Sequence, residues 1–89
     1  MKVIKFKGHE RAAAKVEEHD NGMIKLISYS TCVAYVDEGC VHVCGLYSRT
    51  TIKHLGWFAK MLGTSYQQLK ALYTDGKKMN IYTGEIFPE

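Results

Sequence analysis

Four side chains in this sequence could act together as soft donors. Cys40, His42 and Cys44 stand at i, i+2 and i+4, so on a β-strand all three project from one face, and Cys32 can join them across a hairpin. Thiolates and imidazole are zinc-compatible in type. The spacing argues against zinc, because knuckles place two cysteines on a tight turn, whereas side chains two apart on a strand are splayed by roughly 7 Å. The plainer reading is buried thiols and a satisfied histidine on the sheet face covered by helices. That is the expectation, with no metal and no cofactor. A redox-formed Cys32–Cys44 cross-strand bridge is the third alternative.

A nucleophilic enzyme needs a thiol or hydroxyl beside a base that is itself oriented. His9, His19, His42 and His54 are available, but no signature joins one of them to a cysteine or serine. Glu17-Glu18, Asp20 and Asp37-Glu38 all fall near expected turns, where carboxylates are solvated, and no phosphate-binding glycine loop is present. The chain is read as a non-enzyme.

A binding surface is better supported. Arg49, Lys53, Trp57 and Lys60 form a basic stripe on one helix face, interrupted by the single tryptophan. Cations alternating with an aromatic ring suit phosphate contact with base stacking, or an acidic protein partner anchored by Trp57. The bland alternative packs Trp57 at the edge of the core with lysines extended past it. Ser48, Thr50, Thr51 and His54 make a polar cluster at the start of the same helix. Free N–H groups there can bind anions, although capping hydroxyls account for the same residues without a ligand.

These residues need a sheet and a helix to hold them, and 28–62 supplies both signals. Val33, Tyr35, Val41 and Val43 alternate with smaller or polar residues, the period of half-buried strands. After Tyr47, Ile52, Leu55, Phe58, Ala59 and Leu62 fall on one face of a helix capped by Thr50 or Thr51 and closed by Gly63. The turn Asp37-Glu38-Gly39 is expected as a three-residue loop, setting Val36 opposite Cys40, Ala34 opposite His42 and Cys32 opposite Cys44. A two-residue turn at Glu38-Gly39 would shift that pairing by one, and Glu is a poor first residue for a type I′ turn.

Upstream, 2–7 reads as a lysine-bearing edge strand, and 10–13 as part of a strand approach or a single helical turn. Asn21-Gly22 marks a two-residue hairpin joining strands at 14–18 and 23–29, with Glu18 opposite Lys25 and Val16 opposite Ile27. The polar run 28–31 is a bend or bulge. Downstream, Thr64-x-x-Gln67 is a capping box for a second helix over 65–73, with Tyr66, Leu69, Leu72 and Tyr73 inward. A last strand at 79–82 and a tail over 84–89 complete the chain. The fold class is α+β, an antiparallel meander of about five strands with two helices packed on one face.

Composition fits one small domain. The chain has 89 residues, 46% hydrophobic and 24% charged, and a chain of this length buries roughly 60–65% of its unfolded surface. A net charge of +3 is a mild lean towards polyanions. Cysteine is present in an odd number, three, which does not suit a disulfide scaffold. No apolar run approaches the roughly 18 residues of a membrane span, and the interspersed lysines near the N-terminus do not match a secretory signal. A cytoplasmic setting with no membrane partner is expected.

The segments SYSTCVAYVDEG and YSRTTIKHLGWF resemble a pattern found in small uncharacterised proteins of phages and prophages of Gram-positive bacteria. Its residues here are Ser28, Tyr29, Thr31, Val33, Ala34, Tyr47, Ser48, Thr50, Thr51 and His54. Cys32 and Ile52 depart from it, standing where proline and serine are common. The resemblance implies a phage or mobile-element protein in the host-cell cytoplasm. Its partner would be a host protein or ribonucleoprotein, and its effect inhibition of a host macromolecule, with anti-CRISPR or other anti-defence action as one form. The alternative is a small regulator that binds nucleic acid through the basic stripe.

Overall fold

The computed structural model describes residues 1–89. In chain order the elements are β1 (Lys2–Ile4), β2 (Ala14–Glu18), β3 (Ile24–Ser28), β4 (Thr31–Asp37), β5 (Cys40–Val43), α1 (Arg49–Leu62), α2 (Tyr66–Asp75), β6 (Lys77–Asn80) and β7 (Ile86–Pro88). The strands form one antiparallel sheet in the order β1-β2-β3-β4-β5-β6-β7. The α+β meander is as expected, but the sheet has seven strands rather than about five. The difference lies at the C-terminus. Asn80 Oδ1 accepts from the backbone N–H groups of Tyr82 (2.8 Å) and Thr83 (3.1 Å), folding the chain back. The stretch expected as a tail thereby supplies β7, whose Ile86 pairs with Met79.

One core lies between the sheet and the helices. Val16, Leu26, Val33, Val36, Val41, Val43 and Met79 from the sheet meet Leu55, Phe58 and Ala59 of α1 and Leu69 and Leu72 of α2. Each large side chain fully buried there contributes about 1.5–3 kcal/mol. Ile52 and Leu62 are only half-buried, and Tyr73, expected inward, is 44% exposed. His54 and Thr51 take inward positions on α1 instead.

Core burial also decides two hairpin registers. Between β4 and β5 the pairs are Asp37↔Cys40, Val36↔Val41, Tyr35↔His42 and Ala34↔Val43. The turn is therefore the two-residue Glu38-Gly39, not the expected three-residue loop, and both turn residues have positive φ (50° and 78°). A one-residue slip would place Val36 on the face of Cys40 and expose one partner of each valine pair. Burying several valines outweighs the roughly 1–2 kcal/mol of a left-handed glutamate.

The β2–β3 hairpin is corrected in the opposite sense. Val16 pairs with Leu26 and Glu17, not Glu18, with Lys25. The backbone bond from His19 N–H to Met23 O (2.8 Å) leaves Asp20-Asn21-Gly22 as a three-residue loop, with Gly22 at φ +89°. This register sets fully buried Leu26 against Val16.

The bend expected over 28–31 is a tight turn, with Ser28 paired to Thr31 and Tyr29 at φ +58°. The bulge comes later. Leu26 pairs with Ala34 but Ile27 with Cys32, so Val33 is the extra residue and consecutive Val33 and Ala34 are both buried. Helix caps also shift by a residue or two. Ser48, not Thr50 or Thr51, caps α1, and Ser65 caps α2 by accepting from Gln68 N–H. Gly63 and Gly76 close the two helices in left-handed conformations.

Candidate binding groove

The soft donors do not converge. Strand alternation turns Cys40 and His42 away from Val41 and Val43, so they lie on the face opposite the helices rather than beneath them. Cys32 and Cys40 are half-buried and Cys44 is exposed, all as free thiols. Cys32 and Cys44 do sit side by side. Burial pushes both thiols above the ordinary cysteine range, with Lys25 partly offsetting this at Cys32. His42 goes elsewhere: its ring stacks on Tyr35 (4.6 Å, 8°) and its Nδ1–H donates to Glu89 Oε1 (2.7 Å). Nowhere do three His, Cys, Asp or Glu side chains gather as potential metal ligands.

The polar cluster at the start of α1 is turned to structural use. Thr51 N–H donates to Ser48 Oγ (3.2 Å), and the Ser48 hydroxyl donates to Thr51 Oγ1 (3.1 Å). Thr50 is exposed, whereas Thr51 and His54 are buried. Ser28 Oγ and His54 Nδ1 share a 2.8 Å hydrogen bond. Burial, and secondarily the Lys53 charge, hold His54 below the usual histidine pKa.

The basic stripe divides. Trp57 is half-buried, and Lys53 Nζ lies over its ring at 5.5 Å from the centroid, a cation–π distance. Lys60 is exposed one turn further along, while Arg49 stands apart at the helix start. What completes the surface around Trp57 comes from the N-terminus. After Ile4 the chain leaves the edge strand, and Phe6 enters the core, 5.6 Å from the Trp57 ring. A turn at Gly8 (φ +81°) follows, fixed by His9 N–H donating to Phe6 O (2.9 Å) and Gly8 N–H to Glu10 Oε2 (2.6 Å). That turn lays the His9 ring on Trp57, 4.0 Å away and 14° from parallel.

The result is a groove of about 500 Å³ lined by Ile4, Lys5, Phe6, Lys7, His9, Trp57, Lys60 and Met61. Its volume falls within the roughly 300–1,000 Å³ of small-molecule sites. Three lysines and no carboxylate line it, and its apolar wall is partly aromatic. It can therefore hold a group that is anionic at one end and flat and apolar at the other.

A family model described as a family of unknown function, DUF8033, matches residues 4–75. The chain belongs to the DUF8033 family. No curated protein and no solved structure matches it. The DUF8033 match begins at the groove residue Ile4 and ends with α2, so every groove-lining residue lies within it and only β6 and β7 follow it. No helix of the chain is long and apolar enough to cross a membrane.

Half of the groove is invisible to helix periodicity. Lys5 and Lys7 look like the lysines that guard an edge strand, and His9 looks like a loop residue. The available signal is Gly8, whose positive φ turns the chain so that Phe6 and His9 both reach Trp57.

Proposed function

We propose that the chain is a non-catalytic binding protein of a phage or other mobile element. It occludes a host macromolecule, a protein or ribonucleoprotein of a defence system such as a CRISPR nuclease, by seating an anionic part of that partner in the groove between the N-terminal segment and α1. The observation that carries this reading is the convergence of Lys5, Lys7 and Lys60 on an aromatic wall with no lining carboxylate. Complementary charge of this kind speeds encounter and selects partners. A binding role over catalysis is supported by the Ser28–His54 pair, which is shut away from solvent with each residue 2% exposed.

Heparin chromatography tests the charge-driven part directly. The wild-type chain is retained and released by salt, and a Lys5→Ala/Lys7→Ala/Lys60→Ala variant elutes at clearly lower salt, while Lys77→Ala/Lys78→Ala, remote on β6, elutes with smaller change. Equal elution of both variants would remove the groove as the contact surface.

A further inference from the structure

We infer that the groove holds one unpaired nucleotide of a single-stranded nucleic acid, with the base continuing the Trp57–His9 stack and the flanking phosphates on Lys5, Lys7 and Lys60. This rests on the proposed anionic partner and specifies its chemistry.

His9 and Trp57 are stacked, nearly parallel with ring centroids 4.0 Å apart. Trp57 has other neighbours as well: Lys53 Nζ lies 5.5 Å from its ring centroid, and the rings of Phe6 and His54 lie 5.6 Å and 5.1 Å away, tilted by 57° and 43°. His9 itself is exposed, so the stack can grow from the histidine side. A planar, polarisable ring is the group that extends such a stack, and every nucleobase offers one.

Charge placement supplies the second part. Lys5 and Lys7 stand on either side of Phe6 where the chain leaves the edge strand and turns, and both line the groove, Lys5 also donating from Nζ to Ala12 O (3.3 Å). Lys60 faces them from α1 across the groove. Cations on two sides of a flat apolar wall match a base with a phosphate before and after it. A duplex keeps its bases stacked inside and presents phosphates alone, leaving Ile4, Phe6 and Met61 uncovered. An acidic peptide would satisfy the lysines but lacks a ring at fixed spacing from its charges.

The test uses the full chain and four probes at two salt concentrations: fluorescein-labelled oligo-dT, a duplex of equal length, heparin and polyglutamate. Trp57 is the only tryptophan, so its quenching reports on the groove. The expected result is oligo-dT binding about tenfold or more tighter than duplex, with Trp57 quenched by oligo-dT and not by heparin. His9→Ala, an exposed position that should not disturb folding, weakens oligo-dT about fivefold or more and leaves heparin unchanged. Lys60→Ala weakens both anions and lowers the salt slope by about one. Equal affinity for oligo-dT and duplex, no effect of His9→Ala, or polyglutamate binding with the same quench would overturn the nucleotide assignment while leaving an anion-binding groove. Failure of heparin and oligo-dT alike would overturn the proposed function as well.

Discussion

Ser28 Oγ lies 2.8 Å from His54 Nδ1, joining the end of β3 to the middle of α1 across 26 positions of sequence. Both residues are 2% exposed. They lie within the stretch that matches the DUF8033 family, and the segments around them, 28–39 and 47–58, meet in three dimensions at this bond. The pair has no acidic third member in contact with it. The bond satisfies two buried polar groups and fixes how α1 sits on the sheet.

Removing the hydroxyl should therefore cost stability and little else. Ser28→Ala leaves a buried imidazole nitrogen without its partner, a loss of about 1–3 kcal/mol. Urea unfolding followed by far-UV circular dichroism measures it. An unchanged midpoint would mean that the bond contributes nothing net.

The same burial sets a pH dependence with a definite sign. Desolvation first, and Lys53 second, lower the pKa of His54 in the folded chain. The unfolded chain, with an ordinary histidine pKa of about 6.5, takes up a proton that the folded chain resists. Stability from this residue is thus constant above that value and falls as pH drops from about 6.5 towards the depressed folded pKa. An NMR titration of the His54 ring should show a midpoint below that of the urea-unfolded chain. A midpoint at or above the unfolded value would contradict the account.

Glu38 gives a prediction of opposite direction. It occupies the first central position of a two-residue hairpin turn at φ +50°. Asn accepts that conformation far better, and Asn-Gly is the favoured pair for such a turn. Glu38→Asn should raise stability by about 1 kcal/mol, read as an upward shift of the thermal midpoint. A downward shift would argue against the observed β4–β5 register.

Local sequence carried the fold class, the two helices, the meander order and most strand positions, because hydrophobic period and glycine stops are properties of short windows. Register was not equally legible. At Glu38-Gly39 turn propensity pointed one way and the burial of Val36, Val41 and Val43 the other, and burial decided. At Val33 the bulge that restores phase to β4 has no local marker. β7 escaped because its turn depends on one side chain, Asn80, bonding two backbone groups.

The candidate surface was half legible for a related reason. Helical spacing linked Trp57 and Lys60, but it also drew in Arg49 and Lys53, neither of which lines the groove. No periodic rule joins Lys5, Lys7 and His9 to a helix roughly fifty residues later, since that meeting is made by the packing of Phe6 and by the turn at Gly8.

The most direct test of the groove as the working surface is a titration of isotope-labelled protein with a short heparin oligosaccharide, followed by backbone amide shifts and the Trp57 indole N–H. Salt-sensitive shifts are expected at Lys5, Lys7, His9, Trp57, Lys60 and Met61, with the β6–β7 hairpin and the Tyr35–His42 face unmoved. Shifts centred on either of those other regions, or none at saturating ligand, would contradict it.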